Sequence, residues 1–393
     1  MDGIEFALHE HLPEFGWHFA ECEKCGRGFY ARRPRSVCED VRIGCAPDYG
    51  FIGRRQRVRH REPHEVLAVV REGMAGRGFT EATVDDLVGS GGDTFFVIAG
   101  VQLFDAVLRG QAPPTREAFF VPQPSVRVKS LHKVGHRPGI SSSFVNLCTE
   151  ELDGSTDDYL RHLESWLEVF HSLGMDTDGL TLIVEPEVFR RGDFTYRTVN
   201  VNYYGFELGE AIMLSADSPE CRVRTILDFG FGFERIVWAV NEADSYFSLI
   251  GPPRQALTGR ARLIDFVRTM TLLTAADLRP ANTGPGYVLR KLGKMAVAEG
   301  ARDADLDVLI RHGYRYWEDF VPPRRALDDC AAEVNAELSR AANATLAGRL
   351  GLRGNRIDLN QPSDAFVVDL LRLHGIRHDR IREALTVGND HDG

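Results

Sequence analysis

Ten residues between positions 227 and 236, Leu-Asp-Phe-Gly-Phe-Gly-Phe-Glu-Arg-Ile, combine charged groups with two glycines. Asp228 could bind a cationic group, and Arg235 could bind an anionic group or lie against an aromatic face. The glycines would let a ligand approach the backbone closely. The pattern suits a binding site for a ligand of mixed charge, although Gly-x-Gly before a helix is also common in tight turns that bind nothing.

Local patterns predict the elements that would position these groups. Alternation over 222–227 predicts a strand, Gly230 and Gly232 predict a turn after it, and a helix is predicted from Glu234. The segment 200–214 is predicted to form two antiparallel strands.

Apolar residues at helical spacing predict helices over 65–78, 158–173, 326–350 and 364–374. In the second of these, the inward residues are predicted to be Leu160, Leu163, Leu167 and Phe170.

Bulk composition limits the kind of protein. The 393 residues are 43% hydrophobic and 26% charged, which is ordinary for a globular chain with two or three domains. No run approaches the roughly 18 apolar residues of a membrane helix, and the N-terminus lacks a signal pattern, so we predict a cytoplasmic protein without membrane contact. A net charge of −10 argues against a general nucleic-acid binder. The basic stretch 54–61 is either a solvated linker or a local RNA contact.

Four cysteines lie within the first 50 residues at the spacing C-x2-C-x12-C-x6-C. Disulfides are disfavoured in the cytoplasm, so the alternatives are unpaired thiols or a metal site. The close first pair favours a structural zinc site with four protein ligands. The predicted ligands are Cys22, Cys25, Cys38 and Cys45.

Two further stretches carry groups suited to phosphate or RNA. In Gln-Pro-Ser-Val-Arg over 123–127, the planar guanidinium of Arg127 could donate two hydrogen bonds to phosphate oxygens. Over 279–291, Arg-Pro-Ala-Asn-Thr-Gly-Pro-Gly-Tyr-Val-Leu-Arg-Lys predicts a basic helix that opens after two glycines.

These stretches resemble, in order, motif 3, motif 2 and the RNA-binding phrase of archaeal-type alanyl-tRNA synthetases, a class II family. The phrase Tyr-Gly-Phe-Ile-Gly at 49–53 and the segment 370–376 are similar to further family phrases, so the resemblance covers nearly the whole chain. It implies ATP, alanine and Mg²⁺ as ligands and amino-acid activation as the reaction.

The resemblance also implies a role for each matching residue. Motif 3 and its neighbours imply that Asp228 and Glu207 bind the amino acid. The implied catalytic residues are Arg127, Arg235 and Glu234, the last beside magnesium or orienting the arginine. The implied ATP-binding residues are Arg127, Phe144, Gly230, Gly232 and Arg235. The implied tRNA-binding residues are Asn282, Arg290, Lys291 and Asp358, with Asn282 reading the G·U pair of the acceptor stem.

The chain also departs from the family pattern. Val145 replaces a glutamate, three positions in the motif 2 loop differ, and the glycine-rich phrase near ATP is replaced by 185–193. In those residues, Arg190, Arg191 and Asp193 could meet phosphates and magnesium, or the loop could be solvated. Relatives continue into editing and C-terminal domains, and we expect neither here.

Together these observations predict an α+β fold, a class II antiparallel sheet flanked by helices. The predicted domains are a zinc-binding segment over 1–62, a catalytic domain over 63–250 and a helical tRNA-recognition domain over 251–393. The predicted function is activation of alanine as its adenylate and transfer to the 3′ end of alanine tRNA. The alternatives are a paralogue that transfers alanine to a small amine or nucleoside in secondary metabolism, such as antibiotic biosynthesis, and a non-catalytic RNA-binding paralogue. The oligomeric state is left open.

Overall fold

The structure, a computed structural model, describes residues 3–52, 54, 60–82, 87–88, 95–251, 260–301, 304–352 and 358–386. Most of the basic stretch 54–61, and Gly53 of the phrase at 49–53, lie outside the described residues.

A large sheet contains the strands of the described chain. In chain order they are β1 His18–Glu21, β2 Gly28–Ala31, β3 Thr80–Glu81, β4 Phe119–Val126, β5 Ser143–Leu152, β6 Leu180–Val184, β7 Phe189–Arg191, β8 Phe194–Tyr203, β9 Phe206–Ala216 and β10 Thr225–Gly232. Their spatial order is β1-β2-β6-β8-β9-β10-β5-β4-β3, with β7 paired to β8. The pairs from β1 through β10 to β5 are antiparallel, and β3 pairs with β4 in parallel.

The described residues also form α-helices. They are α1 Gly3–His11, α2 Pro63–Ala75, α3 Asp105–Leu108, α4 Thr156–Ser172, α5 Phe233–Asn241, α6 Phe247–Ile250, α7 Ala261–Ala275, α8 Gly284–Ala298, α9 Leu306–Glu318, α10 Leu327–Arg349, α11 Ser363–Arg372 and α12 His378–Thr386. The predicted α+β class, an antiparallel sheet flanked by helices, is confirmed. In the described residues, no helix has the length and apolar character that crossing a membrane requires.

The predicted turn at Gly230 and Gly232 is wrong. β10 continues through both glycines, because β5 and β9 supply hydrogen-bond partners on its two sides. Phe229 and Phe231 are fully buried on one face, and the glycines lie on the other. The strand therefore carries an apolar face and a face that lacks side chains at Gly230 and Gly232.

Helix α4 covers the phenylalanine face. The ring centroids of Trp166 and Phe231 are 4.3 Å apart, and those of Tyr159 and Phe229 are 4.8 Å apart. The predicted inward side is only partly correct: Leu160 is half-buried, whereas Trp166 is fully buried. The broad rings fill the space above the two phenylalanines, which rotates the helix away from the leucine stripe.

Other predicted elements are confirmed. The segment 200–214 contains two antiparallel strands, β8 and β9, joined at Tyr204 and Gly205 with φ values of +45° and +82°. Both residues therefore adopt the left-handed conformation that a two-residue hairpin turn requires. The predicted helices match α2, α4, α10 and α11 within a few residues at their ends.

The described residues divide into two compact units. The first lies within 1–85, 98–125 and 144–249, and the second within 86–97, 126–143 and 250–393. The domain boundaries predicted at 62 and 250 stay a prediction.

In the second unit, α7 is buried along nearly its whole length and holds the end of the motif 2 loop. Asp265 accepts hydrogen bonds from the backbone and side chain of Ser142 at 2.9 and 2.5 Å. Arg268 donates to the Ser143 carbonyl at 2.8 Å and lies 4.3 Å from the Trp317 ring centroid. These bonds satisfy charged groups that would be costly to bury alone.

Candidate active site

The open face of β10 forms the centre of the candidate site. Asp228, Gly230 and Gly232 lie on this face at every second residue. A side chain at Gly230 would meet the amide of Asn146, which lies directly across from Gly232 on β5. The two glycines thus leave a strip of half-buried backbone without side chains of its own, with Asp228 at one end.

Asp228 lies at the buried end of this strip. Its side chain is 8% exposed, and its cross-strand partners are Glu150 on β5 and Ile212 on β9. Beyond it, an apolar cluster that includes Val101 and Phe104 closes the same face of the sheet. A small cationic group bound to Asp228 would therefore meet an apolar wall.

Arg235 projects from the first turn of α5, which begins directly after Gly232. Its guanidinium donates to the Glu207 carboxylate at 2.7 Å and to the Glu207 carbonyl at 3.1 Å. Burial lowers the pKa of Arg235 from its usual value. Because Glu207 holds it, the guanidinium is fixed before any ligand binds.

Glu207 is also bonded to a second arginine. Arg42 comes from the cysteine-containing segment and forms an ion pair with Glu207. It also pairs with the carboxylate of the fully buried Asp40, at 2.9 Å. The amino-acid-binding role of Glu207 stays a prediction, since its observed contacts are to Arg42 and Arg235.

Glu234 faces inward from the same helix turn as Arg235. Its side chain is 1% exposed, and its carboxylate accepts from the Val145 backbone at 3.0 Å. The contact fixes β5 next to Phe144, a half-buried residue predicted to stack on adenine. The magnesium role of Glu234 stays a prediction, because the contact described for its carboxylate is the hydrogen bond from the Val145 backbone N–H.

The four predicted zinc ligands lie together. Their sulfur atoms are all within 4.8 Å of one another, with Cys22–Cys45 at 3.8 Å and Cys25–Cys38 at 3.9 Å. A tetrahedral zinc ion with sulfurs at about 2.3 Å would separate them by about 3.8 Å, so the geometry is compatible with zinc.

The cysteines of this cluster differ in acidity: burial raises the pKa of Cys38 and, to about 11, that of Cys45, whereas the pKa of Cys22 is lowered. Burial alone raises the pKa of Cys22, but hydrogen bonds, the largest from the Cys38 backbone at 3.4 Å, outweigh it and lower that pKa to about 6. A thiolate is the form that binds zinc. Phe29 and Ile183 pack around the sulfurs and limit access of water.

The predicted phosphate ligand Arg127 belongs to the second unit. It is exposed and directly follows β4, and its backbone N–H donates to the Ser142 carbonyl at 2.9 Å. The predicted strand–loop–strand of motif 2 is thus present as β4, residues 127–142 and β5.

The predicted tRNA-binding residues also belong to the second unit. Asn282 is exposed just before α8, and Lys291 is exposed on the helix, whereas Arg290 is half-buried. Helix α8 begins at Gly284, three residues earlier than a start after both glycines, at Tyr287, would place it. Gly286 lies in the first turn, where a side chain would collide with the Arg279 carbonyl.

Asp358 is exposed and precedes α11. Its carboxylate accepts from the Asn360 backbone at 2.9 Å. The buried Asn343 on α10 holds the same loop by donating to the carbonyls of Leu359 and Gln361 at 3.1 and 2.9 Å.

Sequence reasoning missed Glu150, Asn146 and Arg42. Each reaches the site through strand register or through a contact distant in sequence. The alternation of phenylalanine and glycine in Phe-Gly-Phe-Gly is the sequence feature that indicates a strand with one open face.

Sequence comparisons extend over nearly the whole chain. An alanine–tRNA ligase from Korarchaeum cryptofilum is 22% identical over 470 residues, covering 97% of this chain and 50% of that protein. An alanine–tRNA ligase from Methanosarcina acetivorans is 26% identical over 250 residues, covering 59% of this chain and 26% of that protein. No family model matches the chain.

A solved structure of pyrrolysyl-tRNA synthetase from Desulfitobacterium hafniense is also similar. Its TM-score is 0.35 at 16% identity, covering 48% of this chain and 74% of that one.

These matches define the kind of protein to which the chain is similar. Its sequence relatives are tRNA ligases. More particularly, they are archaeal alanine–tRNA ligases, which confirms the resemblance predicted from the motifs. The chain spans half or less of the length of these two relatives.

Proposed function

We propose that the chain activates alanine with ATP and transfers the alanyl group to an acceptor, the 3′ end of alanine tRNA. The observation that carries the proposal is the open strip of β10, which joins a buried carboxylate at Asp228 to a guanidinium at Arg235. Alanine–tRNA ligases among the sequence relatives support the choice of amino acid.

In the first step, an alanine carboxylate oxygen attacks the α-phosphorus of ATP. A bond forms between these atoms, the bond from the α-phosphorus to its bridging oxygen breaks, and pyrophosphate leaves with those electrons. Asp228 binds the ammonium and thereby orients the carboxylate. Arg235 binds phosphate oxygens, which stabilises the charge that builds up in the transition state. The motif 2 resemblance implies a phosphate-binding role for Arg127 as well. Mg²⁺ bound with ATP would neutralise further phosphate charge.

The lining of the strip favours a small amino acid. The strip lacks side chains at Gly230 and Gly232, and the apolar cluster beyond Asp228 closes it. A methyl group could pack on this wall, whereas a longer side chain would collide with it. Such a wall discriminates modestly against glycine or serine, since one methylene or hydroxyl changes binding by only about 1–3 kcal/mol.

For the acceptor, the surface of α8 supports tRNA. Lys291 and Lys294 are exposed on this helix, and Tyr287, 48% exposed, lies one turn before Lys291. Residues four apart share a helix face, so the lysines could bind backbone phosphates while the ring packs on a sugar or base. Asn282, exposed at the start of the helix, would contact a base edge in the shallow groove.

The second candidate is transfer of alanine to a small amine or nucleoside. It is favoured by the altered motif 2 loop and by 185–193, where exposed charged residues replace the glycine-rich phrase. In that case the adenylate would form normally, but tRNA would not accept the alanyl group.

We also propose that the four cysteines hold one structural zinc ion. With four thiolate ligands the ion would have no open position for catalysis. It would instead fix the segment that carries Asp40 and Arg42, which reaches Glu207.

Exchange of labelled pyrophosphate into ATP tests the activation step. We expect exchange that depends on alanine and is slower with glycine, serine or larger amino acids. Asp228→Asn should lower kcat/KM for alanine by about 30-fold to 1,000-fold, because it removes the charged partner of the ammonium in a closed site. Asp178→Asn, which alters an exposed ion pair with Arg33, is the matched control. Faster exchange with another amino acid, or full activity in Asp228→Asn, would show that the pocket assignment is wrong.

A further inference from the structure

A second buried carboxyl lies beside the predicted ligand of the substrate amino group. Glu150 on β5 is directly opposite Asp228 on β10, and opposed residues of antiparallel strands point to the same face. Glu150 is fully buried, and Asp228 is 8% exposed. The two acids therefore share the closed end of the strip, where water cannot screen them.

The surroundings of Glu150 leave little room for change. Gly100, in the turn 100–104, packs on its carboxyl, so that any side chain at position 100 would collide with Glu150 Oε1. Neither carboxyl oxygen makes a hydrogen bond of standard geometry with another described residue. The groups that act on its charge are Asp228, Cys148 and the more distant cation Arg191.

Two adjacent carboxylates in such a place would repel each other. Burial, followed by the charge of Asp228, raises the pKa of Glu150 well above its ordinary value. A neutral carboxylic acid has one O–H donor, and the acceptor that strand register places opposite it is the Asp228 carboxylate.

We propose that Glu150 is a positioning residue for Asp228: as a carboxylic acid it donates a hydrogen bond to the Asp228 carboxylate and holds it toward the amino group of the bound amino acid. The inference rests on the proposed function, because it concerns the same pocket. One negative charge then faces one ammonium group. Loss of the donor would leave the Asp228 carboxylate free to rotate, which would weaken amino-acid binding.

Paired substitutions test this role. Glutamine keeps a donor at the same reach, whereas methionine keeps the volume and removes the donor. In pyrophosphate exchange we expect Glu150→Gln to stay within about threefold of the wild-type KM for alanine. Glu150→Met should raise that KM about tenfold or more, with the KM for ATP unchanged. A purely structural role predicts the reverse order, since methionine is better suited to a buried apolar site.

The pH dependence of stability is a second readout, independent of catalysis. A carboxyl whose folded pKa is raised contributes stability at low pH and loses it as pH rises through that pKa. The wild type should therefore lose stability relative to Glu150→Gln as pH rises above 4.5, the ordinary pKa of a glutamate. The difference in melting temperature between the two proteins should grow over this range.

The outcomes separate the two proposals. If the wild type shows no exchange with any amino acid, the proposed function is wrong, and the melting curves still report whether Glu150 is protonated. If the wild type exchanges normally and Glu150→Met retains its KM for alanine, the positioning role is wrong. A constant difference in melting temperature across pH would also overturn it.

Discussion

The guanidinium of Arg235 and the carboxylate of Glu207 are 2.7 Å apart, and the same carboxylate pairs with Arg42. Arg42 lies between Cys38 and Cys45, two members of the cysteine cluster. The contacts thus connect the proposed zinc segment to the arginine proposed to bind ATP. An anion between two cations holds both in place, which fixes Arg235 before the ligand arrives.

Removing Arg42 should therefore impair ATP binding at a distance. We expect Arg42→Ala to lower kcat/KM for ATP by about tenfold to 100-fold, since Glu207 would lose one of its two partners and hold Arg235 less firmly. Pyrophosphate exchange at varied ATP measures this effect. The matched control is Arg33→Ala, which removes an arginine that is 78% exposed and paired with Asp178. Equal kinetics in both variants would mean that Arg42 does not act through Glu207.

The proposed zinc site can be tested by metal content. Purified protein should contain one zinc per chain, and Cys38→Ser should release it, because the buried Cys38 is one of the four proposed ligands. Its melting temperature should fall by about 5 °C or more, since metal binding contributes to folding. Cys221→Ser, a change outside the cluster, is the control and should keep the metal. Wild-type protein with well under one zinc and four titratable thiols would contradict the assignment.

The buried network on α7 should stabilise the second unit. Asp265→Asn would remove the negative charge that accepts hydrogen bonds from the Ser142 backbone N–H and hydroxyl. We expect the free energy of unfolding to fall by about 2–4 kcal/mol, as for other disrupted buried polar networks. Chemical denaturation measures the change. The control Asp307→Asn alters an exposed pair with Arg311 and should cost much less stability, because solvent screens exposed ion pairs. A loss of similar size in both variants would refute the network's role.

Binding of tRNA should depend on the exposed face of α8. Lys291→Ala should weaken binding of alanine tRNA and reduce the slope of log affinity against log salt by about one, as expected when one phosphate contact is lost. Filter binding over a range of salt concentrations gives both values. Arg311→Ala on α9 removes another exposed cation of the same unit and should leave the slope unchanged. An unaltered slope in Lys291→Ala would place the RNA elsewhere.

Much of the fold could be predicted because its signals are local. The hairpin at Tyr204-Gly205, the stripe of α2 and the cysteine spacing depend on residues close in sequence. The pattern of the β10 glycines predicts a turn, whereas the strand continues through them because it has partners on both sides. Gly230, for example, pairs with Glu210 on β9 and with Cys148 on β5, which are 20 and 82 residues away along the chain.

The candidate site was predictable in part for the same reason. Asp228 and Arg235 lie in one motif, so their proximity follows from the sequence. Glu150 could not be chosen from the three acids at 150, 151 and 153 without the strand register. Arg42 could not be singled out either, because its contact with Glu207 spans two separate segments of the chain.

Single-turnover transfer of labelled alanine tests the central claim most directly. With protein in excess over alanine and with ATP present, we predict that alanyl-adenylate forms and that its alanyl group passes to a tRNA transcript bearing G·U at the recognised pair. Transfer to a G·C transcript should be much slower, and Asn282→Ala should remove the difference. Adenylate that forms but charges neither transcript would contradict tRNA as the acceptor and favour a small amine or nucleoside. Failure to form an adenylate with alanine would contradict the account as a whole.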